Sequence, residues 1–591
     1  MNQDSASQSI SAARAAEKRE RTILKGLLLF FMAVIVYIPA MSGGYIYDDD
    51  ILLTQNPFIT RGPGFFDAQS LKGLETIWFP RSEKTVNDYA PISSTSLWIE
   101  WRLWGNGGPG GYHTTNILLH AAAALLLWAV LAQIGVPGAW VAALIWAVHP
   151  VGAESVAWIA ERRNALSTPL LLLTLLAWLR FQRTRRRWDY TLALALFAVT
   201  LLAKSALVML PFFLLLWIWW KRNRITKSDL IDTAPFFIIS LALGFVTAWF
   251  QYTRAIAGEQ LPMGGVFHRL ASACFALGFY LYKAALPFHL SFNYPEWHKT
   301  VVVVWQLLPG IALAAVLYWA WRERATWGRH VLLGLGFFVI MIAPALGMMK
   351  MAYMRITLVA DHFQYVPMMG LIALAVAGAA TLHTRWKTSP VRYAIDAGAG
   401  AIIVLLGVLT WQRADVFHDP ESLWVDTLRE NPDAWQAHEH LAAILLDRND
   451  ITAALEHFKR GVEIRPWLGE THNNYGNTLR KAGQQPDEAL EQNREAVELD
   501  GDNIAIRVSY GDALLLANRA AEAIVQYQAA LELNPANPAV WNNLGVLFMR
   551  SGKMTEAIDS FHQALRYAPN FPAAQAGLDE ALQLQENERN K

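Results

Sequence analysis

The chain has 591 residues, 54% of them hydrophobic and 17% charged, with 25 Trp and 27 Phe. That balance excludes a single soluble domain and a disordered chain, and the aromatic excess fits the interfacial belts of a membrane protein. A formal charge of +1 offers no bulk field for nucleic acid, and the lone Cys274 excludes an intramolecular disulfide framework.

Residues 1–21 form a basic tail (Arg14, Lys18, Arg19, Arg21) before an apolar run at 22–41. That run can span a hydrocarbon core of about 30 Å. No small-residue cleavage site follows, so it reads as an uncleaved signal anchor. Further apolar runs lie at 114–134, 137–150, 165–181, 189–203, 205–220, 233–250, 301–321, 330–347, 364–382 and 393–411. Together they predict about eleven crossings in a domain over 22–411. Basic clusters at the N-terminus, 183–187, 221–227, 322–329 and 385–392 belong on the cytoplasmic side. The expected protein is a multi-pass membrane protein, N-terminus cytoplasmic and C-terminal half extracytoplasmic. The segment 266–287 is also apolar but is interrupted by His268, Arg269 and Lys283, so it is expected to be interfacial or re-entrant. If it crossed, there would be twelve spans and a cytoplasmic C-terminal half.

Beyond a connecting half repeat at 412–434, the pattern becomes amphipathic. Trp541, Leu544, Gly545, Phe548, Ala557, Phe561, Ala564 and Pro569 occupy the positions of a tetratricopeptide repeat. Shifts of about 34 residues find three more such units. Four repeats are expected over 435–571, with a polar capping helix and tail at 572–591. Asn474 and Asn543 fall at equivalent positions on first helices, where amide side chains can hold a peptide backbone. The alternative is ordinary solvated polar positions.

The predicted orientation gathers several residues at the extracytoplasmic side, beginning with the first loop, 42–113. Asp48 and Asp49 follow the first span, where desolvation would raise a carboxyl towards the range of a general base. As residues alone they read equally as a solvated helix-end cluster. In "HPVGAESVAWIAERRNALS", Glu154, Trp158 and Glu161 share a face if helical, and Arg162 and Arg163 oppose the positive-inside bias. In "KMAYMRITLVADHFQYVP", Arg355, Asp361, His362 and Tyr365 precede a span. Arginine there can hold a phosphate. Lys204 and Lys283 are intramembrane or interfacial cations. There is no Gly-rich phosphate loop, no Cys/His zinc spacing and no nucleophile elbow.

The motifs "YDDDILLTQNP", "YAPISSTSLWIEWRLWG", "GYHTTNILLHA", "HPVGAESVAWIAERRNALS", "LLAKSALVMLP" and "VADHFQYVP", in this order, resemble the transmembrane and tetratricopeptide repeat-containing protein O-mannosyltransferases. The resemblance covers nearly all the chain from residue 22. It implies an all-α fold: a polytopic helical domain of the GT-C glycosyltransferase type, followed by a tetratricopeptide α-solenoid. The family's acidic pair falls on Asp48 and Asp49, its Tyr-Pro on Tyr89 and Pro91, its His-Pro and glutamate on His149, Pro150 and Glu154, and its Glu-Arg on Glu161 and Arg162. Two positions depart from the family pattern: Asn164 where aspartate is usual, and His362-Phe363 where Arg-Tyr is usual.

The implied activity is inverting transfer of mannose or another hexose from a polyprenyl-phosphate donor to Ser/Thr hydroxyls of extracytoplasmic proteins. Asp48, Asp49 and Glu154 are its expected catalytic groups. Arg162, Lys204, Arg355, His362 and Lys283 are expected around the donor phosphate. Tyr89, His149, Trp158, Glu161, Asp361 and Tyr365 are expected to bind substrate, and Asn474 and Asn543 to hold the acceptor peptide. A divalent cation (Mg or Mn) stays open. The alternatives are a repeat scaffold for envelope assembly without chemistry, or a lipid-linked oligosaccharide ligase or polymerase.

Overall fold

The computed structural model describes residues 3–80, 89–256, 264–297, 302–386 and 390–589. All regular structure among them is helical. The chain divides into two compact units, Met1–Asn431 and Pro432–Lys591.

In the first unit, eight helical stretches among the described residues are long and apolar enough to cross a membrane: Pro109–Ile134, Ile159–Thr184, Ser205–Arg222, Lys227–Ala255, Val303–Arg322, Gly328–Ala345, Met368–Arg385 and Pro390–Asp415. Three expected runs differ for local reasons. The helix Gln3–Ile35 stops short, and the short helix Ile38–Met41 restarts at Pro39, which has no N–H to continue the ladder. The helix Arg187–Ala203 has 17 residues and falls just below that length. The run at 137–150 gives a nine-residue helix, Ala139–Ala147, which rises only about 14 Å.

That short helix is one arm of a bent pair. It meets Pro150–Ala157 at 54°, and only together are the two long and apolar enough to cross a membrane. The break frees backbone carbonyls, and side chains from distant helices satisfy them. His120 donates Nε2–H to Ala147 O at 2.9 Å, and Thr410 donates its hydroxyl to Val148 O at 2.7 Å. Tyr365 donates its hydroxyl to the other nitrogen of His120 at 2.6 Å, which fixes the tautomer.

The segment expected to be interfacial forms the helix Val266–Ala285, which is not among the eight. Near its end, Lys283 donates to the carbonyls of Phe288 and His289, each at 2.7 Å. Of the expected first loop, 81–88 lies outside the described residues, as do 257–263, 298–301 and 387–389 in other connections.

The second unit is four helical hairpins: 435–447 with 451–464, 469–482 with 486–499, 504–516 with 520–533, and 538–550 with 554–567. The helix Pro572–Arg589 follows. Small residues sit where paired helices touch. A Cβ on Gly545 would lie 2.7 Å from the Phe561 ring, and one on Gly511 2.7 Å from the Tyr527 ring.

Each hairpin also repeats one bond that an apolar pattern does not show. His438, His472, Arg507 and Trp541 hold equivalent positions, and each uses a side-chain N–H on the carbonyl six residues earlier. The acceptors are Pro432, Pro466, Gly501 and Pro535, at 3.0, 3.0, 2.5 and 2.9 Å.

Candidate active site

Three consecutive acids enter different surroundings because the backbone turns sharply just before them. Tyr47 has φ of +45°, an unusual conformation for a bulky residue. Its ring is held against Trp424, Phe292 and Trp158, with centroids 5.4, 5.5 and 6.0 Å away.

Beyond that turn Asp49 is fully buried. Its two oxygens accept the backbone N–H groups of Ala160 at 2.7 Å and Ile46 at 2.9 Å. Burial pushes its carboxyl up to about 8, against these two amides. Asp49 therefore ties the first loop to the turn before the helix Arg162–Thr184. Asp50 is exposed and accepts the Thr54 hydroxyl at 2.7 Å.

Asp48 differs from both. It is half-buried, and its carboxylate accepts no hydrogen bond from the described residues. Burial raises it to about 6; Arg163 nearby lowers it and Glu161 raises it. A carboxyl that is partly desolvated, close to neutrality and not tied down has the properties of a general base.

Behind Asp48 lies a buried polar network. Glu154 accepts His362 Nδ1 at 2.7 Å and the His362 backbone N–H at 3.1 Å. The opposite edge of the imidazole, Nε2, is 3.9 Å from Glu161. Asn164 joins these groups. Its amide nitrogen lies 2.6 Å from Glu161 Oε2, 3.0 Å from His362 O and 3.0 Å from Ser155 Oγ, and its oxygen accepts Lys204. The two departures from the family pattern, Asn164 and His362, are therefore in direct contact.

Lys204 reaches this network because the backbone is extended at that residue, between the helix Arg187–Ala203 and the turn that follows. Asp361 accepts the Tyr294 hydroxyl at 2.8 Å and is pushed upward by burial. Among the described residues its second oxygen has no hydrogen-bond partner.

Other expected site residues are engaged in holding the fold. Arg162 is fully buried and uses four of its five N–H donors: Nε donates to Asn116 at 2.5 Å, Nη1 to Glu100 at 2.7 Å and Ser96 at 2.8 Å, and Nη2 to Tyr112 O at 3.0 Å. His149 caps the turn at 150–152 and donates to Ala284 O at 3.2 Å. Tyr365 belongs to the His120 cluster, and Trp146 donates to its carbonyl at 3.0 Å. Tyr89 donates to Trp78 O at 3.2 Å and stacks on Phe250. Trp158 is buried among aromatics. Arg355 is exposed and donates to Ala255 O at 2.7 Å. Lys283 lies at the end of its own helix, as above.

In the second unit Asn474 donates to Glu439 at 2.7 Å, and Asn543 hydrogen-bonds Tyr527. Among the described residues no three His, Cys, Asp or Glu side chains converge to hold a metal ion. The Glu154 and Asp49 oxygens face N–H donors, so these residues do not fit a divalent cation.

Sequence reasoning singled out Arg163 and Asn164 but gave neither a role beside Asp48 and His362. The available signal was their position directly after the Glu-Arg motif, at the start of a helix.

These features define a class: an all-helical protein that joins an apolar multi-helix domain, with a buried acid–histidine–lysine network, to tetratricopeptide hairpins. A family profile described as dolichyl-phosphate-mannose-protein mannosyltransferase matches residues 88–250. Tetratricopeptide profiles match 421–466, 511–552 and 538–571.

The chain is similar to protein O-mannosyl-transferase F38B6.6 of Caenorhabditis elegans, 22% identical over 76% of this chain and 64% of that protein. It is also similar to the human protein O-mannosyl-transferases TMTC4 (23% identical, 73% and 65% covered) and TMTC1 (25%, 77% and 57%). It spans less than two thirds of the length of each of these relatives. Among solved structures, YrrB, a tetratricopeptide protein, aligns with a TM-score of 0.25 at 19% identity, covering 34% of this chain and 96% of that one.

Proposed function

We propose that the protein is a membrane glycosyltransferase that moves a hexose, mannose in the first instance, from a polyprenyl phosphate to a Ser or Thr hydroxyl of an extracytoplasmic polypeptide. The similarity to protein O-mannosyl-transferases supports the reaction class. The observation that carries the mechanism is Asp48. Of three adjacent acids it alone is partly buried, raised towards neutrality and free of hydrogen bonds from the described residues.

In the proposed step the acceptor oxygen attacks the anomeric carbon from the face opposite the phosphate. Its proton passes to the Asp48 carboxylate. The bond from the anomeric carbon to the phosphate oxygen breaks, its electron pair leaves with the lipid phosphate, and the configuration inverts. Lys204 and Arg163 are the cations placed to balance that phosphate. Arg162 supports the site from behind through Glu100 and Asn116 and is not assigned to the donor. The repeats present the acceptor chain, with Asn474 and Asn543 facing its backbone. The membrane is the bacterial inner membrane, with the N-terminus cytoplasmic and the repeats periplasmic.

General-base catalysis contributes about 10²–10⁴-fold, so Asp48→Asn lowers transfer by that factor while leaving folded protein. The rate rises with pH through about 6, where Asp48 loses its proton, and this acid limb disappears in Asp48→Asn. The checks are transfer to an acceptor peptide from a synthetic polyprenyl-phosphate mannose, and intact masses of envelope proteins with and without the chain. Undiminished transfer by Asp48→Asn rejects the assigned base. Unchanged envelope masses reject the protein acceptor.

A further inference from the structure

We infer that His362 is a positioning residue that works as a cation: clasped by Glu154 and facing Glu161, its imidazolium sets the charge balance in which Asp48 acts. The inference rests on the glycosyltransferase reading for its kinetic consequence, and on geometry alone for its structural one.

The geometry leaves His362 little freedom. One carboxylate, Glu154, takes both its ring Nδ1–H and its backbone N–H, at 2.7 and 3.1 Å, so the ring cannot turn without breaking a buried pair. The opposite ring nitrogen has Glu161 at 3.9 Å, an ion-pair distance too long for a hydrogen bond. The ring is 5% exposed and is enclosed edge-on by Phe363 and Tyr353, with centroids at 4.4 and 5.0 Å. A donor phosphate would therefore have to displace carboxylates to reach it.

The charged groups facing His362 come from several elements. Glu154 lies on the helix Ala153–Ala157, Glu161 on the turn Ile159–Glu161 and Lys204 on the break after Ala203. Asp361 precedes it on its own turn. Burial opposes a charge on His362, but Glu161 and Glu154 outweigh it, and the ring holds its proton more tightly than an ordinary histidine.

Glu161 then links the ring to the catalytic base, because Glu161 and Arg163 are the charges that act on Asp48. Around the site stand the acids Asp48, Glu154 and Glu161 with the cations Arg163, Lys204 and His362. When the imidazole loses its proton, Glu154 and Glu161 both lose a cationic partner.

The sign follows from linkage. A histidine raised on folding adds stability that is complete below its unfolded value of about 6.5 and is lost as pH rises through its folded value. Transfer should therefore fall on the alkaline side, by about tenfold per pH unit beyond that value. His362→Arg keeps a cation at every pH and removes this limb, while the acid limb of Asp48 remains.

The experiment uses the full chain in nanodiscs, wild type, His362→Arg, His362→Gln and Glu154→Gln, over about pH 5–9. Transfer and melting temperature are recorded on the same samples. Wild type should lose melting temperature as pH rises through the titration, with His362→Gln flat in that window and Glu154→Gln, which leaves Glu161 in place, showing the loss at lower pH. Superimposable melting profiles of wild type and His362→Gln overturn the inference, whatever the activity. An alkaline limb unchanged in a folded His362→Arg overturns it as well. If no sample transfers sugar but the melting profiles differ as stated, the positioning cation stands and the glycosyltransferase reading falls.

Discussion

Adjacent carboxylates at 48 and 49 have opposite fates because of a single backbone angle. The left-handed turn at Tyr47 sends Asp49 inward to two amide donors and leaves Asp48 facing Arg163 and Glu161. An analogous division separates Arg162 from Arg163. Arg162 is held by Glu100, Ser96, Asn116 and Tyr112, so its removal leaves the buried Glu100 carboxylate without its cation. Breaking such a pair costs about 3–5 kcal/mol, and Arg162→Gln should reduce folded yield and melting temperature before it touches chemistry. A detergent melt compared with Asp48→Asn, which should melt like wild type, checks this. Five residues that the sequence motifs single out, Asp48, Glu154, Glu161, Lys204 and His362, lie together in the structure. The motifs could not show which of two adjacent acids or arginines faces the site, because that depends on a turn at Tyr47 and on partners at Glu100 and Asn116, dozens of residues away.

At the scale of elements, the repeats were legible where spacing repeats a steric demand. Gly545 under Phe561 and Gly511 under Tyr527 are small because a ring occupies the space a side chain would need. Gly545→Ala forces that ring to shift and should cost about 1–3 kcal/mol, measured by urea unfolding followed at 222 nm. The carbonyl-binding position was harder to read. His438, His472, Arg507 and Trp541 share no size, charge or hydropathy, only an N–H that reaches the carbonyl six residues back. Trp541→Phe keeps the ring and removes the donor, with an expected loss of about 0.5–1.5 kcal/mol in the same assay. The apolar runs marked where helices would lie but not where they would stop. Pro39 and the break before Pro150 act on backbone hydrogen bonds, which a hydropathy pattern does not register.

At the scale of the whole molecule, the division near residue 431 has a direct consequence. Residues 432–591 have their own helical core, from Ala442, Phe458 and Tyr475 in the first hairpins to Phe561 and Leu578 at the end. Expressed alone they should give a helical circular dichroism spectrum and a cooperative thermal transition. A polypeptide lacking both would show that the repeats need the first unit. Repeat proteins gain stability from each neighbouring interface, so deleting the helix from Pro572 onward should lower that transition and expose the Phe561 face.

The interrupted helix at 139–157 also bears on how the chain is assembled. Its Ala147 carbonyl is matched by His120, which is synthesised earlier, but its Val148 carbonyl waits for Thr410, 262 residues later. Until that last apolar helix arrives, an unpaired backbone oxygen remains in a setting with little water to serve it. The bend behind Glu154 can therefore reach its final form only after Thr410 has been made and inserted, and Thr410→Val should leave newly made chains sensitive to protease long after insertion is complete.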